Sequence, residues 1–237
     1  MFGLASISLS IWLLGTGGGF DRLRASIVAP PRTRMPVRGI DVSHHQGVID
    51  WKAVKDADYT FAYLKASEGA DFRDTRFLQN WTEANAAGLV TGAYHYFTFC
   101  APGAAQADHF LAVVSSHTHV LPLGVDVEFT GNCKAWDSVP AIQSELGAFV
   151  KRVEAARGEK LLVYTAREQF DELIPGSLYE HAMWIRSLWG EPLSMPWLFW
   201  QYSDSGEVPG IRGPVDLDVF AGSSREWQER VESRFQP

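Results

Sequence analysis

Two carboxylates stand two residues apart in an otherwise apolar run, Asp126 and Glu128 in LPLGVDVEF (121–129). If that run is a strand, residues i and i+2 share a face and both acids point the same way. Flanked by Val125, Val127 and Phe129, they are costly to bury unless paired or solvated. Like charges that close push one pKa upward, which is what a general acid near neutral pH needs. The bland alternative is an edge strand with both acids facing water, because D-x-E alone is a common tripeptide. Asp41 ends the first apolar run, VRGIDVS (37–43), and Asp216 lies in the last, VDLDVF (215–220), with Asp218 two residues on.

Eight runs of this kind recur: 37–43, 59–66, 89–97, 121–129, 161–165, 182–186, 197–202 and 215–220. Several are too continuously apolar for a half-exposed sheet and suit buried parallel strands. Helices fit between the first five. Asp50 caps a short one at Trp51, and Asp74 opens another carrying Phe77, Trp81 and Ala84, closed by Gly88. Pro102 starts a third with Phe110, Leu111 and Val114 inward. Ser138 starts a fourth with Ile142, Leu146, Phe149 and Val153 inward, closed by Gly158. Beyond Arg167 helical signals weaken, save for a terminal helix near 226–235. The pattern predicts an α/β fold, an irregular TIM-like (β/α) barrel of eight strands with about five full helices. In such barrels chemistry sits at the carboxyl ends of the strands, where these acids fall.

The net charge of −7 is uneven. Residues 1–40 hold five Arg and one Asp, a local +4, so the remainder carries −11. A body that acidic argues against nucleic acid as a partner. Residues 1–20 carry no charge, and the apolar stretch 2–15 is short for a spanning helix, which needs about 20 residues. It is like the core of a secretory signal without the preceding positive charge. Arg22 and Arg24 after it suit a retained anchor, and a mis-assigned start codon is a third reading. The expected organisation is a signal-like or anchor segment over 1–29, a Pro-rich linker over 30–36 and one catalytic domain over 37–237. Export is the expected location.

His44, His45 and His95 raise the question of a metal hydrolase, which needs about three convergent ligands. None of them lies in the H-x-H spacing that puts two imidazoles on one strand face. The only H-x-H, His117 and His119, falls at the opposite end of the barrel from the acids. Neither a Ser-His-Asp elbow nor a phosphate-cradling Gly loop is present, so no metal and no cofactor is expected. Cys100 and Cys133 each follow a strand run that should neighbour the other. An even count with an export-like terminus favours a disulfide between them. Two buried free thiols is the other reading.

GIDVSHHQGVIDW (39–51), YLKASEG (63–69), GAYHYF (92–97), VDVEF (125–129), WQY (200–202) and VDLDVF (215–220) follow one another in the order and spacing of the family 25 glycoside hydrolases. These are the Chalaropsis-type muramidases, and the resemblance covers about residues 37–222. It implies a peptidoglycan hydrolase that cuts the β-1,4 bond between N-acetylmuramic acid and N-acetylglucosamine, acting on glycan strands as a monomer. By position, Glu128 matches the proton donor and Asp126 its neighbour. Asp126 either orients the substrate's 2-acetamido group for attack on the anomeric carbon or helps activate water. Asp41 and Asp216 match two further groove carboxylates that favour an oxocarbenium-like transition state.

Lys65, Tyr94, Tyr96, Tyr164, Trp184 and Gln201 match groove-lining positions, each with ordinary barrel packing as its alternative. The resemblance usually has Phe where Tyr96 stands. Two rival functions remain in view: a catalytically silent glycan-binding barrel, and a glycosidase acting on chitin. The first would be marked by loss of an acid, yet all four are present. The second would follow a D-x-x-D-x-D-x-E pattern, but Gly124 and Leu121 occupy its earlier acid positions.

Overall fold

In the computed structural model, residues 18–115, 121–134 and 138–235 are described. The eight apolar runs become β1 (Arg38–Val42), β2 (Phe61–Glu68), β4 (Val90–Tyr96), β5 (Gly124–Asp126), β6 (Leu162–Ala166), β7 (Ala182–Arg186), β8 (Phe199–Gly206) and β9 (Val215–Phe220). A two-residue β3 (Phe72–Arg73) edges β2. The eight longer strands close a barrel in the order β1-β9-β8-β7-β6-β5-β4-β2, and β1 pairs with β2 to complete the circle. Pairing is parallel around the barrel except at β9, which runs antiparallel to both neighbours. An antiparallel return needs no crossover helix, and residues 207–214 join β8 to β9 without one.

Around the barrel lie α1 (Gly18–Val28), α2 (Trp51–Asp56), α3 (Phe77–Ala86), α4 (Gly103–Val114), α5 (Val139–Arg157), α6 (Phe170–Leu173) and α7 (Ser224–Phe235). Five of the seven have ten residues or more. Local chemistry sets their ends. Asp50 accepts from the Ala53 N–H at 3.0 Å to cap α2, and Gly158 closes α5 in the left-handed region at φ 71°. Asp74 does start the turn into α3, accepting from Arg76 N at 2.8 Å. Its other oxygen is engaged by His44, through the backbone N–H at 2.9 Å and the ring Nδ1 at 2.8 Å. That bond ties the loop after β1 to the α3 entrance.

Two apolar layers result. One lies between strands and helices, with Phe97, Phe110, Phe149 and Val163 among its buried members. The other fills the barrel from its amino-terminal end with rings: Phe61, Tyr63, Phe199, Phe220 and Trp227 of α7. The rings fit because two strand positions carry no side chain. A Cβ on Gly39 would stand 2.2 Å from the Phe61 ring, and one on Gly92 would stand 2.4 Å from Tyr63. The carboxyl-terminal half is thereby left for polar groups.

Most of the signal-like segment, residues 1–17, lies outside the described residues, as do His117 and His119. Residues 18–28 form α1 against β8, with Ala25 buried and Arg24 bonded to Asp204 at 2.8 Å. In the Pro-rich stretch Met35 is buried, Arg34 pairs with Glu191 at 2.6 Å, and Arg38 donates to the Pro30 carbonyl. Among the described residues no helix is long and apolar enough to cross a membrane.

Candidate active site

The carboxyl ends of the strands open into a groove of about 370 Å³. All ten side chains that the sequence marked as catalytic or substrate-binding line it. Asp126 is the last residue of β5, and Glu128 follows two positions later on the same side, as strand alternation requires. The segment that carries them is pinned on both flanks. Phe97 N donates to the Asp126 carbonyl at 2.9 Å, Val127 N to the Tyr164 carbonyl at 3.0 Å, and Phe129 N to Gln169 Oε1 at 3.0 Å. Asn132 then donates to the carbonyls of both Glu128 and Phe97 at 2.9 Å and accepts from Phe99 N at 2.8 Å.

Beside Asn132 the Cys100–Cys133 disulfide, with a Cα–Cα distance of 6.0 Å, joins the loop after β4 to the loop after β5. The bridge is thus the correct reading, not free thiols. It closes a link across the same two loops that Asn132 stitches together.

On β2 a bulge between Lys65 and Ser67 changes the parity. Residues i and i+3 of a regular strand face opposite ways, but here Lys65 and Glu68 both line the groove and pair at 2.7 Å. Lys65 Nζ also sits 4.6 Å from the centre of the Tyr96 ring. Tyr94 and Tyr96 of β4 face the groove together. His95 between them turns outward, stacks on Phe149 and bonds to Ser67 Oγ at 2.8 Å, and burial lowers its pKa to about 3. The Tyr96 hydroxyl, unusual against the family pattern, donates to the Thr130 carbonyl at 2.6 Å and so holds the loop beyond Glu128.

A second group of acids lies across the groove. Asp41 of β1 and Asp216 of β9 are direct cross-strand partners. Gln201 Nε2 donates to Asp41 Oδ2 at 2.7 Å and its Oε1 accepts from the Tyr164 hydroxyl at 3.0 Å. Asp218, one step deeper on the same face as Asp216, is fully buried and accepts from Trp184 Nε1 at 2.8 Å. Tyr164, Trp184 and Gln201 therefore hold acids as well as line the groove.

Electrostatics follow from burial. Asp126 and Glu128 are both pushed above the usual carboxylate range, chiefly by desolvation; Glu128 raises Asp126 further, while Arg186 and then Lys65 pull Glu128 back down. Asp41 and Asp216 are raised well above that range by burial and then by neighbouring acids. Asp218 is raised to about 8, again mainly by burial. Glu128 Oε2 and Asp126 Oδ1 are buried and have no hydrogen-bond partner among the described residues. Such an arrangement can hold a proton ready on Glu128 and present several acids to one developing positive charge.

Two charged groove residues were missed by sequence reasoning. Arg186 ends β7 with its Nη1 3.6 Å from Glu128 Oε2, and Asp204 lies at the rim near the end of β8. Arg186 closes a run, AMWIR, that reads as an ordinary buried strand. A charged last residue of a barrel strand was the available signal. Among the described residues no group of three or more His, Cys, Asp or Glu is disposed to hold a metal ion.

The sequence model of the Glycosyl hydrolases family 25 matches residues 40–211. Lysozyme M1 of Streptomyces globisporus is 35% identical over 225 residues, covering 89% of this chain and 75% of its own. A family 25 glycosyl hydrolase from Bacillus anthracis superposes with a TM-score of 0.76 at 34% identity, over 83% of this chain and 94% of that one. The bacterial lysozyme from Streptomyces coelicolor does so with a TM-score of 0.74 at 33% identity, over 84% and 98%. With the family's sequence pattern, its barrel and a groove of clustered acids all present, the chain belongs to the family 25 glycoside hydrolases.

Proposed function

We propose that this enzyme is an exported lysozyme that cleaves the β-1,4 bond between N-acetylmuramic acid and N-acetylglucosamine in peptidoglycan. The observation that supports this most is the Asp126–Glu128 pair at the end of β5, buried and raised in pKa within the groove. In this reading Glu128 gives its proton to the glycosidic oxygen, since a sugar alkoxide is a poor leaving group. Asp126 orients the 2-acetamido group of the muramyl residue, whose carbonyl oxygen attacks the anomeric carbon as the glycosidic bond breaks. The cyclic intermediate is opened by water, with the Glu128 carboxylate taking the proton, and configuration is retained. Asp41 and Asp216 stabilise the positive charge that develops on the sugar ring.

The test is digestion of purified peptidoglycan by residues 18–237, beside Glu128→Gln. Products are reduced with borohydride and identified by mass spectrometry. The expected result is reduced muramic acid ends with the parent and none with the variant. Reduced glucosamine ends would overturn the bond assignment. Glycan binding without any cleavage by the folded parent would leave a silent barrel.

A further inference from the structure

Two cations line the groove among the described residues, Lys65 and Arg186, and they are held differently. Lys65 is satisfied: it bonds to Glu68 at 2.7 Å and lies over the Tyr96 ring. Arg186 is not. Its Nη1 is 3.6 Å from Glu128 Oε2 and its Nη2 3.7 Å from Glu168 Oε1, both beyond hydrogen-bonding range. Among the described residues nothing accepts a hydrogen bond from this guanidinium, although its side chain is only 18% exposed. A planar fork of five donors, tied to no protein acceptor among these residues, therefore faces the space a glycan would occupy.

The catalytic state makes the mismatch larger. When Glu128 carries the proton that leaving-group departure requires, the charge opposite Nη1 is gone. Within ion-pair distance what remains is Glu168, whose side chain is 69% exposed and therefore screened, while Asp126 and Asp216 act on Arg186 only through longer-range charge. An incoming carboxylate would supply two acceptors in the geometry a guanidinium prefers. Chitin has no such group. A muramyl polymer has two sources of it, the 3-O-lactyl carboxylate itself and the free carboxylates of a stem peptide attached there.

The geometry points to Arg186 as a recognition site for a carboxylate carried by the bound glycan, and so as the residue that makes this groove prefer muramyl polymers to neutral ones. This rests on the peptidoglycan reading above and deepens it. Removing Arg186 also takes a cation away from Glu128. That change acts on the acid whatever glycan is bound, whereas carboxylate recognition acts only on charged glycans.

The test uses tetrasaccharides of alternating N-acetylglucosamine and N-acetylmuramic acid in four forms. Two carry free lactyl carboxylates or their methyl esters. Two carry stem peptides with free or amidated carboxylates. Initial rates give kcat and KM for the parent, Arg186→Gln and Arg186→Lys. The parent is expected to prefer at least one charged form over its neutral counterpart by roughly 10- to 100-fold in kcat/KM, mostly through KM. Arg186→Gln should bring that ratio near one, with Arg186→Lys, which keeps charge but not the fork, in between. The pair that shows the preference identifies the source of the carboxylate. A parent without preference, or a preference that survives Arg186→Gln and Arg186→Lys, overturns the assignment. A parent that cleaves none of the four forms overturns the peptidoglycan reading instead, before any variant is compared.

Discussion

The groove has two walls of acids, and they are supported in opposite ways. Asp126 and Glu128 sit at and beyond the end of a three-residue strand, on a segment held by loop contacts, by Asn132 and by a disulfide. Their charged neighbours include the cations Arg186 and Lys65. Asp41, Asp216 and Asp218 sit inside the antiparallel β1–β9 ladder, and their direct hydrogen-bond donors are the neutral Gln201 and Trp184. Both groups are buried enough to be raised in pKa. On the first, Arg186 and Lys65 both work against burial for each acid, whereas on the second Arg186 alone acts, and on Asp216. In the proposed mechanism the first wall holds the acid that exchanges a proton, Glu128, and the second holds acids that keep their state.

The sharpest way to break this contrast is to neutralise one acid on each wall. Glu128→Gln should lower kcat by about 10³-fold or more while leaving thermal stability close to the parent, because it removes the proton itself. Asp126→Asn should cost about 10²-fold, in kcat more than KM. Its stereochemical partner is a proton NMR measurement: the first product formed should be the β-anomer, and an α-anomer would reassign Asp126 to activating water. Asp41→Asn should cost clearly less than either, because Gln201 and Asp216 remain. Equal losses on both walls would erase the distinction.

The pH profile of kcat sharpens it further. Cations near a carboxylate favour its ionised form, so taking one away raises the pKa. Lys65→Met should therefore shift the alkaline limb, where Glu128 loses its proton, upward by up to about 1 unit. Gln201→Leu, on the opposite wall, should leave that limb in place. The disulfide gives a smaller and different effect. Cys100→Ser with Cys133→Ser removes a link worth about 3 kcal/mol, or a fall in Tm of roughly 6–12 °C by calorimetry, with some loss of kcat as the Glu128 loop loosens.

The sequence exposed this division only in part, for physical reasons. Strands buried on both faces read as continuous apolar runs, so all eight barrel strands were visible, and parity alone placed Asp126 with Glu128. Helix ends with a local chemical cause, Asp50 and Gly158, were equally legible. Features that depend on partners distant in the chain were not. The β2 bulge that turns Lys65 and Glu68 to one side leaves no trace in YLKASEG. Arg186 gains its meaning from Glu128, 58 positions away in sequence and 3.6 Å away in space. Asp218 stands two residues beyond Asp216, so alternation gives the two acids the same face. What separates them is depth: Asp216 lines the groove, and Asp218 lies beneath it against the Trp184 indole.

That depth yields the most specific effect. Asp218 is raised in the folded state to about 8, whereas an unfolded aspartate titrates near 3.9. Below about pH 4 both states hold the proton, and the folded protein keeps its full stability. As pH rises the unfolded chain releases its proton first and gains stability relative to the fold, so stability drains away between about pH 4 and pH 8. An asparagine has no such liability: its carbonyl oxygen still accepts from Trp184 and its amide faces Asp41. Asp218→Asn should therefore raise Tm at pH 8 by roughly 2–4 °C for each ~1 kcal/mol relieved, and change it little at pH 4. A variant that is less stable at pH 8 than its parent would mean that the Asp218 carboxyl is needed in charged form, and that the inner wall exchanges protons after all.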